Sequence, residues 1–166
     1  MTPEEYKELD AIDLANLISK KEVTPDELLD IAENLRKSLD PSINSIVQTL
    51  AKEAAQQIIE SKSGPFSGVP FLIKNLNQQI KGTITTNGSA LYQNEIAEDD
   101  TTLVKRYKSS GLIIFGKTNS PEFGLSTTTE PVLHGPTRNP WNTDYSPGGS
   151  SGGAAAAVAS GIVPMA

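Results

Sequence analysis

The segment Ser146-Pro147-Gly148-Gly149-Ser150-Ser151-Gly152-Gly153 runs directly into Ala154-Ala155-Ala156-Ala157. Four glycines around two serines make a loop whose backbone can approach another group closely. The helix expected behind it offers unpaired N–H groups and the positive end of its dipole, so the loop can hold an anion or a polar reacting centre. It can also be a flexible Gly-Ser connection, although linkers seldom lead straight into an alanine helix. A nucleotide loop is disfavoured: that pattern needs a lysine and then Ser or Thr after its last glycine, and Gly153 is followed by alanine. The three-glycine spacing of dinucleotide sites is absent too.

Lys74 is the second residue with chemical potential, closing the run Gly68-Val69-Pro70-Phe71-Leu72-Ile73. At the end of a buried central strand its ammonium is poorly solvated, and desolvation lowers a lysine pKa toward the range of a general base. At the end of a surface strand it is an ordinary solvated cation, and the residues alone leave both readings open. His134 is the only histidine and cysteine is lacking, so no standard zinc set can form and a surface loop position is expected. Glu95, Glu98, Asp99 and Asp100 read as a solvated loop plus a helix cap. Trp141, in Asn139-Pro140-Trp141-Asn142, reads as a packing anchor for a long loop.

The elements that must position these groups follow from capping and periodicity. Asp10 caps a helix carrying Ala11, Leu14, Ala15, Leu17 and Ile18. Thr24-Pro25-Asp26-Glu27 has a capping hydroxyl, a proline at the first helical position and an acid at the third, so a second helix is expected to about Ser38. Asp40, Pro41 and Ser42 are expected to break it, before a strand at Ile46, Val47 and Leu50 and a helix from Ala51 to Ile59. A turn-rich stretch, 64–70, leads into the strand Phe71-Leu72-Ile73. Asp100 is then expected to cap a helix with Leu103, Val104 and Tyr107, followed by an apolar strand at 112–115. Residues 117–151 show little periodicity and predict a long loop, and 152–160 predict a helix stopped by Gly161. This alternation predicts an α/β layered architecture with a largely buried sheet.

A chain of 166 residues with 37% hydrophobic and 20% charged side chains suffices for one ordinary domain with a core. Fourteen basic against twenty acidic residues leave a net charge of -6, with the basic residues scattered, so direct nucleic-acid binding has no electrostatic support. No apolar run approaches the ~20 residues that span a bilayer, and the N-terminus is acidic and polar where a signal peptide is basic and then apolar. With cysteine absent as well, a cytoplasmic location without membrane contact is expected.

Lys74 and the glycine-serine loop, with their flanks, resemble the amidase-signature family of Ser-Ser-Lys hydrolases. The resemblance is carried by Gly-Val-Pro-Phe-Leu-Ile-Lys at 68–74, Gly-Ser at 88–89, Gly-Lys-Thr-Asn at 116–119, Asn-Pro-Trp-Asn at 139–142 and Ser-Pro-Gly-Gly-Ser-Ser-Gly-Gly at 146–153. It implies the N-terminal portion of that α/β fold, a mixed β-sheet flanked by helices. Residues 1–166 would be part of a single amidase domain, with 1–62 a helical N-terminal segment and 63–166 the sheet core carrying the lysine base and the loop. It implies that Lys74 is the general base, that Ser150 bridges it to a nucleophilic serine, that Ser151 and Gly149 support them, and that the bond between Gly149 and Ser150 is cis.

No cofactor or metal is implied, and the substrate is a small-molecule amide. The loop region most resembles bacterial amidases of the 6-aminohexanoate-cyclic-dimer hydrolase type. The family's nucleophile lies in an Asp-x-Gly-Gly-Ser-Ile-Arg type segment that is not in this sequence. The chain is therefore expected to be an inactive fragment, lacking the C-terminal part of its own domain and leaving Lys74 largely protonated. The alternatives are the amidase subunit of glutamyl-tRNA(Gln) amidotransferase and a non-catalytic binding module with an amidase fold.

Overall fold

The threonine-led signature at the start of the second predicted helix occurs twice. In Thr2-Pro3-Glu4-Glu5 and Thr24-Pro25-Asp26-Glu27 the hydroxyl accepts the N–H of the third helical residue, and that residue's carboxylate reaches back to the threonine N–H. The computed structural model describes residues 1–60 and 63–166, and in it these boxes open α1, Pro3–Lys7, and α3, Pro25–Ile43. Between them Asp10 accepts from the N–H groups of Ile12 and Asp13 to start α2, Ala11–Ser19. Helix α1 is not among the elements expected from periodicity, although the same signature announces it.

Helix α3 runs five residues beyond the expected end at Ser38, and Pro41 lies inside it. Proline withholds one N–H from the carbonyl four residues back, here that of the solvent-exposed Lys37, near the end of the helix where little ladder remains to be lost. Asn44, with φ 50, then closes the helix by donating to Asp40 O at 2.7 Å. The Asp40 carboxylate accepts from Ser45 N, Ser45 Oγ and Ile46 N, so the residues expected to break the helix instead build the corner that launches the first strand.

That strand is β1, Ile46–Thr49, followed by α4, Ala51–Glu60, then β2, Pro70–Lys74, α5, Thr102–Ser109, β3, Ile113–Thr118, and α6, Gly152–Ala159. Short 3-10 turns occupy Ala90–Tyr92 and Glu122–Gly124. The sheet order is β1-β3-β2, with β2 parallel and β1 antiparallel to the central β3. The fold is thus the expected α/β arrangement of a mixed sheet flanked by helices, and the described residues on either side of 61–62 contribute strands to the same sheet. Helix α4 packs on β3, and α3 and α6 pack on β2.

Every residue of β3 is buried, and the strand continues through Gly116, Lys117 and Thr118, three residues past the apolar run, with β1 and β2 paired to its edges and α4 and α6 packed against it. Leu28, Ala32, Leu72, Ile114, Ala156 and Ile162 are all fully buried in one continuous core. Burying a side chain such as Leu72 contributes about 1.5–3 kcal/mol. Tyr6 ties the two ends of the chain together: its ring is buried and its hydroxyl donates to Ile162 O at 3.3 Å.

One further expectation is corrected. Thr101, not Asp100, is the cap residue of α5. Asp100 accepts instead from Lys81 N and from Lys108 Nζ, which holds its carboxyl below the usual range against the opposing effect of burial. Glu95, Glu98 and Asp99 are exposed, as a solvated loop requires. Among the described residues no helix is long and apolar enough to cross a membrane, and no His, Cys, Asp and Glu group is arranged to hold a metal ion.

Candidate active site

Lys74 is the last residue of β2, next to the central strand and at its carboxyl end. Its backbone is fixed by the parallel ladder to Thr118, and the next residue, Asn75, donates its N–H to Thr118 O at 3.0 Å. From there the amine reaches the glycine-serine loop. Lys74 Nζ stands 2.7 Å from Ser150 Oγ and 3.0 Å from Ser151 Oγ, donating to both. Lys74 and Ser150 are half-buried and Ser151 is exposed. Removal from water holds the amine below the ordinary lysine pKa.

Besides the bond from Gly148 N to its own Ser146 Oγ, the loop is held by threonine and asparagine from outside it. Thr129 Oγ1 donates to Gly148 O at 2.9 Å and accepts from Gly152 N at 3.1 Å. Asn119 O accepts from Gly153 N at 3.3 Å, while the Asn119 amide binds Gly135 O and Thr137 Oγ1. The Gly149–Ser150 bond is cis. A Cβ at Gly149 would meet Thr128 O at 2.8 Å, and one at Gly153 would meet Ser45 O at 2.7 Å. Gly149 and Gly153 therefore serve close packing of backbone on backbone. The first N–H groups of α6, expected to be free for an anion, are already bonded to Thr129 and Asn119, so an anion cradle is not what this loop builds.

Lys117 is a functional group that the sequence reading does not single out. It is buried on β3, and its ammonium donates to Thr83 Oγ1 at 2.9 Å, Ile84 O at 2.6 Å and Thr85 Oγ1 at 2.7 Å. All three N–H bonds are used, tying the loop after β2 to the central strand. Its legible signals are its place directly beyond an apolar run and a glycine, and its inclusion in the Gly-Lys-Thr-Asn stretch at 116–119. Burial pushes its pKa down to about 8, opposed by the charge of Glu53.

This shift has a pH signature. Because the folded pKa lies below the ordinary value near 10.4, the unfolded chain binds more protons between about pH 8 and 10.4, and stability rises with pH across that window. Lys74 acts in the same direction, while buried Tyr6, whose hydroxyl pKa is raised, makes stability fall above about pH 10. Urea unfolding at pH 7.5 and 9.5 should show a rise in the native protein, with a slope bounded by about 1.4 kcal/mol per pH unit for each group, and a smaller rise in Lys117→Met. Equal rises in the two proteins would mean that Lys117 is not the desolvated group.

Two other expectations are corrected here. His134 is not a surface histidine: it is half-buried and its Nε2 lies 2.9 Å from Thr86 Oγ1. Trp141 is 84% exposed, so its ring is not the packing anchor expected of it. Its loop is closed instead by Asn139, which donates its N–H to Tyr145 O and accepts from Trp141 N, and by Asn142, which accepts from Asp144 N.

A lysine amine set against two serine hydroxyls at the carboxyl end of a buried parallel strand defines an α/β protein with an amine–hydroxyl cluster at the mouth of its sheet. Residues 27–166 match the family model described as Amidase, and the chain belongs to the amidase family. It is 41% identical over 165 residues to a lipoamidase of Enterococcus faecalis, covering 98% of this chain and 23% of that protein. It is 40% identical to a glutamyl-tRNA(Gln) amidotransferase subunit of Halothermothrix orenii, covering 96% of this chain and 33% of that one. Among solved structures, 6-aminohexanoate cyclic dimer hydrolase complexed with substrate superposes with a TM-score of 0.89 at 39% identity, over 94% of this chain and 33% of the other. The chain spans about a third or less of the length of these relatives.

Proposed function

We propose that a polypeptide carrying this chain hydrolyses the amide bond of a small molecule through a Ser-Ser-Lys triad and an acyl-enzyme. The observation that supports this reading most directly is the 2.7 Å approach of a partly desolvated Lys74 amine to Ser150 Oγ. In its neutral form Lys74 accepts the Ser150 proton while Ser150 accepts the proton of an attacking serine supplied outside these 166 residues. The attacking oxygen adds to the amide carbonyl, the relay runs backward to protonate the leaving amine, and water then hydrolyses the acyl-enzyme. Ser151 steadies the amine as its second hydroxyl partner, and Gly149 lets the loop come close enough for Ser150 to be reached. No step calls on a cofactor or metal.

The similarity to the 6-aminohexanoate cyclic dimer hydrolase structure favours linear and cyclic aliphatic amides as the substrate class. The 40% sequence identity to an amidotransferase component supports a second reading, in which the amide is glutamine and the freed ammonia passes to a partner protein. The two separate on one assay: amine release from a panel of linear and cyclic amides, measured with a polypeptide extended to the length of its relatives and with the 166 residues alone. Turnover by the extended polypeptide unaided supports the first reading, and turnover of glutamine only with partner and charged tRNA supports the second. The 166 residues alone are expected to release no amine. Absence of turnover in every condition, with Lys74 and Ser150 intact and the fold verified, would leave a non-catalytic module.

A further inference from the structure

Among the described residues the His134 ring has one side-chain partner, and the chemistry of that partner decides the state of the ring. Thr86 Oγ1 lies 2.9 Å from His134 Nε2, accepts from Asn75 Nδ2 at 2.7 Å and accepts from Gly88 N at 3.2 Å. The orientation of the Asn75 amide is fixed independently, because its Oδ1 accepts the N–H of Thr86 at 3.1 Å and its Nδ2 must therefore face the hydroxyl. A hydroxyl has two lone pairs and one proton. Both lone pairs are taken by N–H donors, so the proton is directed at the imidazole and Nε2 must accept it.

We infer that His134 is a positioning residue for the Lys74 end of β2, held as the neutral Nδ1–H tautomer and acting through Thr86 and Asn75. Asn75 follows Lys74 directly, and its two amide bonds to Thr86 are what join the strand end to the loop after it. When the ring gains a second proton, Nε2–H points at an oxygen with no free lone pair. Thr86 must then release Asn75 or Gly88, and the segment beside Lys74 loosens.

The surroundings disfavour that proton. His134 borders a cavity of about 210 Å³ whose other walls, besides Asn75 and Thr86, are Val47, Gln48, Ile84, Gln93 and Leu133, none of them charged. The nearest charges that the contacts identify are Lys74, adjoining Asn75, and Lys117, whose ammonium is bound to Ile84 O; both are positive and oppose a second proton on the ring. Burial holds the imidazole below its ordinary pKa.

The inference concerns the geometry at Lys74 and stands apart from hydrolysis; only its consequence for catalysis rests on the proposed function. Since His134 is the only histidine, its ring nitrogens can be read without ambiguity by long-range 1H–15N correlation on the 15N-labelled protein. The expected result above the ring's midpoint is a protonated Nδ1 and a bare Nε2. On acidification the Asn75 side-chain amide and the Lys74 side-chain resonances should shift with the same midpoint as the ring. In His134→Gln, whose amide oxygen can still accept from Thr86 but cannot titrate, those two responses should vanish. An Nε2–H tautomer, an even tautomer mixture, or Asn75 and Lys74 signals that ignore the His134 midpoint in the native protein would each overturn it.

Discussion

Replacing Lys74 by methionine in a hydrolytically competent, extended polypeptide is expected to lower kcat/KM for amide hydrolysis by about 10⁴-fold or more, the scale seen when one member of a catalytic relay is removed. Methionine keeps an unbranched apolar stem like that of lysine but has no nitrogen to accept the proton that Ser150 must pass on. Because Lys74 ends a strand and its amine is half-buried among hydroxyls, the fold should survive, and unchanged unfolding midpoints would show that the loss is chemical. Arginine should fail equally, since a guanidinium does not deprotonate in proteins. Ser150→Ala should cost a similar factor and the double substitution little more, because residues that act as one relay are not additive. A Lys74→Met enzyme with more than a tenth of native activity would sink the proposed mechanism.

Substituting Gly153 by alanine is expected to be the most damaging single methyl group in the loop, destabilising the fold by about 3 kcal/mol. The added Cβ collides with the backbone N and O of Asn119 and with Ser45 O, none of which can rotate away as a side chain would. Those backbone groups are themselves bonded, Asn119 N to Ser45 O and Gly153 N to Asn119 O, so relief on one side breaks a bond on the other. For a domain of this size the loss corresponds to a fall in Tm of roughly 6–12 °C. Gly148 is the internal control. A Cβ there meets nothing within 4 Å, and only its φ of 87 opposes a side chain, so Gly148→Ala should cost about 1 kcal/mol. Thermal unfolding of the two variants side by side decides the point, and equal effects would show that close backbone approach is not the role of Gly153.

Both predictions depend on the same corner of the molecule. The end of β3 holds Lys74 through the parallel ladder, and Asn119, the residue directly after it, holds Gly153 at the start of α6. The lysine and the serines are thus referenced to one strand, which is why an amine and a hydroxyl 76 residues apart in the chain meet at 2.7 Å.

How far the residues alone carry this picture depends on the reach of the interaction involved. Asp10 and Thr24 start their helices through bonds spanning two or three residues, so a short window of sequence holds all the parts, and Thr2 shows that the rule extends to a helix too short for periodicity to reveal. The apolar runs at 71–73 and 112–115 marked two strands, and the alternation of strand and helix determined the layered α/β class, whereas the burial of the strand that ends at Lys74 was decided by the sheet. Lys74, Ser150, Ser151, Gly149 and the cis bond between 149 and 150 are legible from the motif as a whole; the residue types by themselves allow a surface lysine and a flexible linker. What only the tertiary structure decided is where polar groups find partners across long stretches of chain. Lys117 is satisfied by a loop 32 to 34 residues earlier, His134 by a threonine 48 residues away, and Asp100 by the distant backbone of Lys81 together with Lys108 of the adjoining helix rather than by capping that helix. Such bonds form only after the sheet has brought distant loops together, and a side chain's type states how many partners it needs without stating which ones folding will deliver.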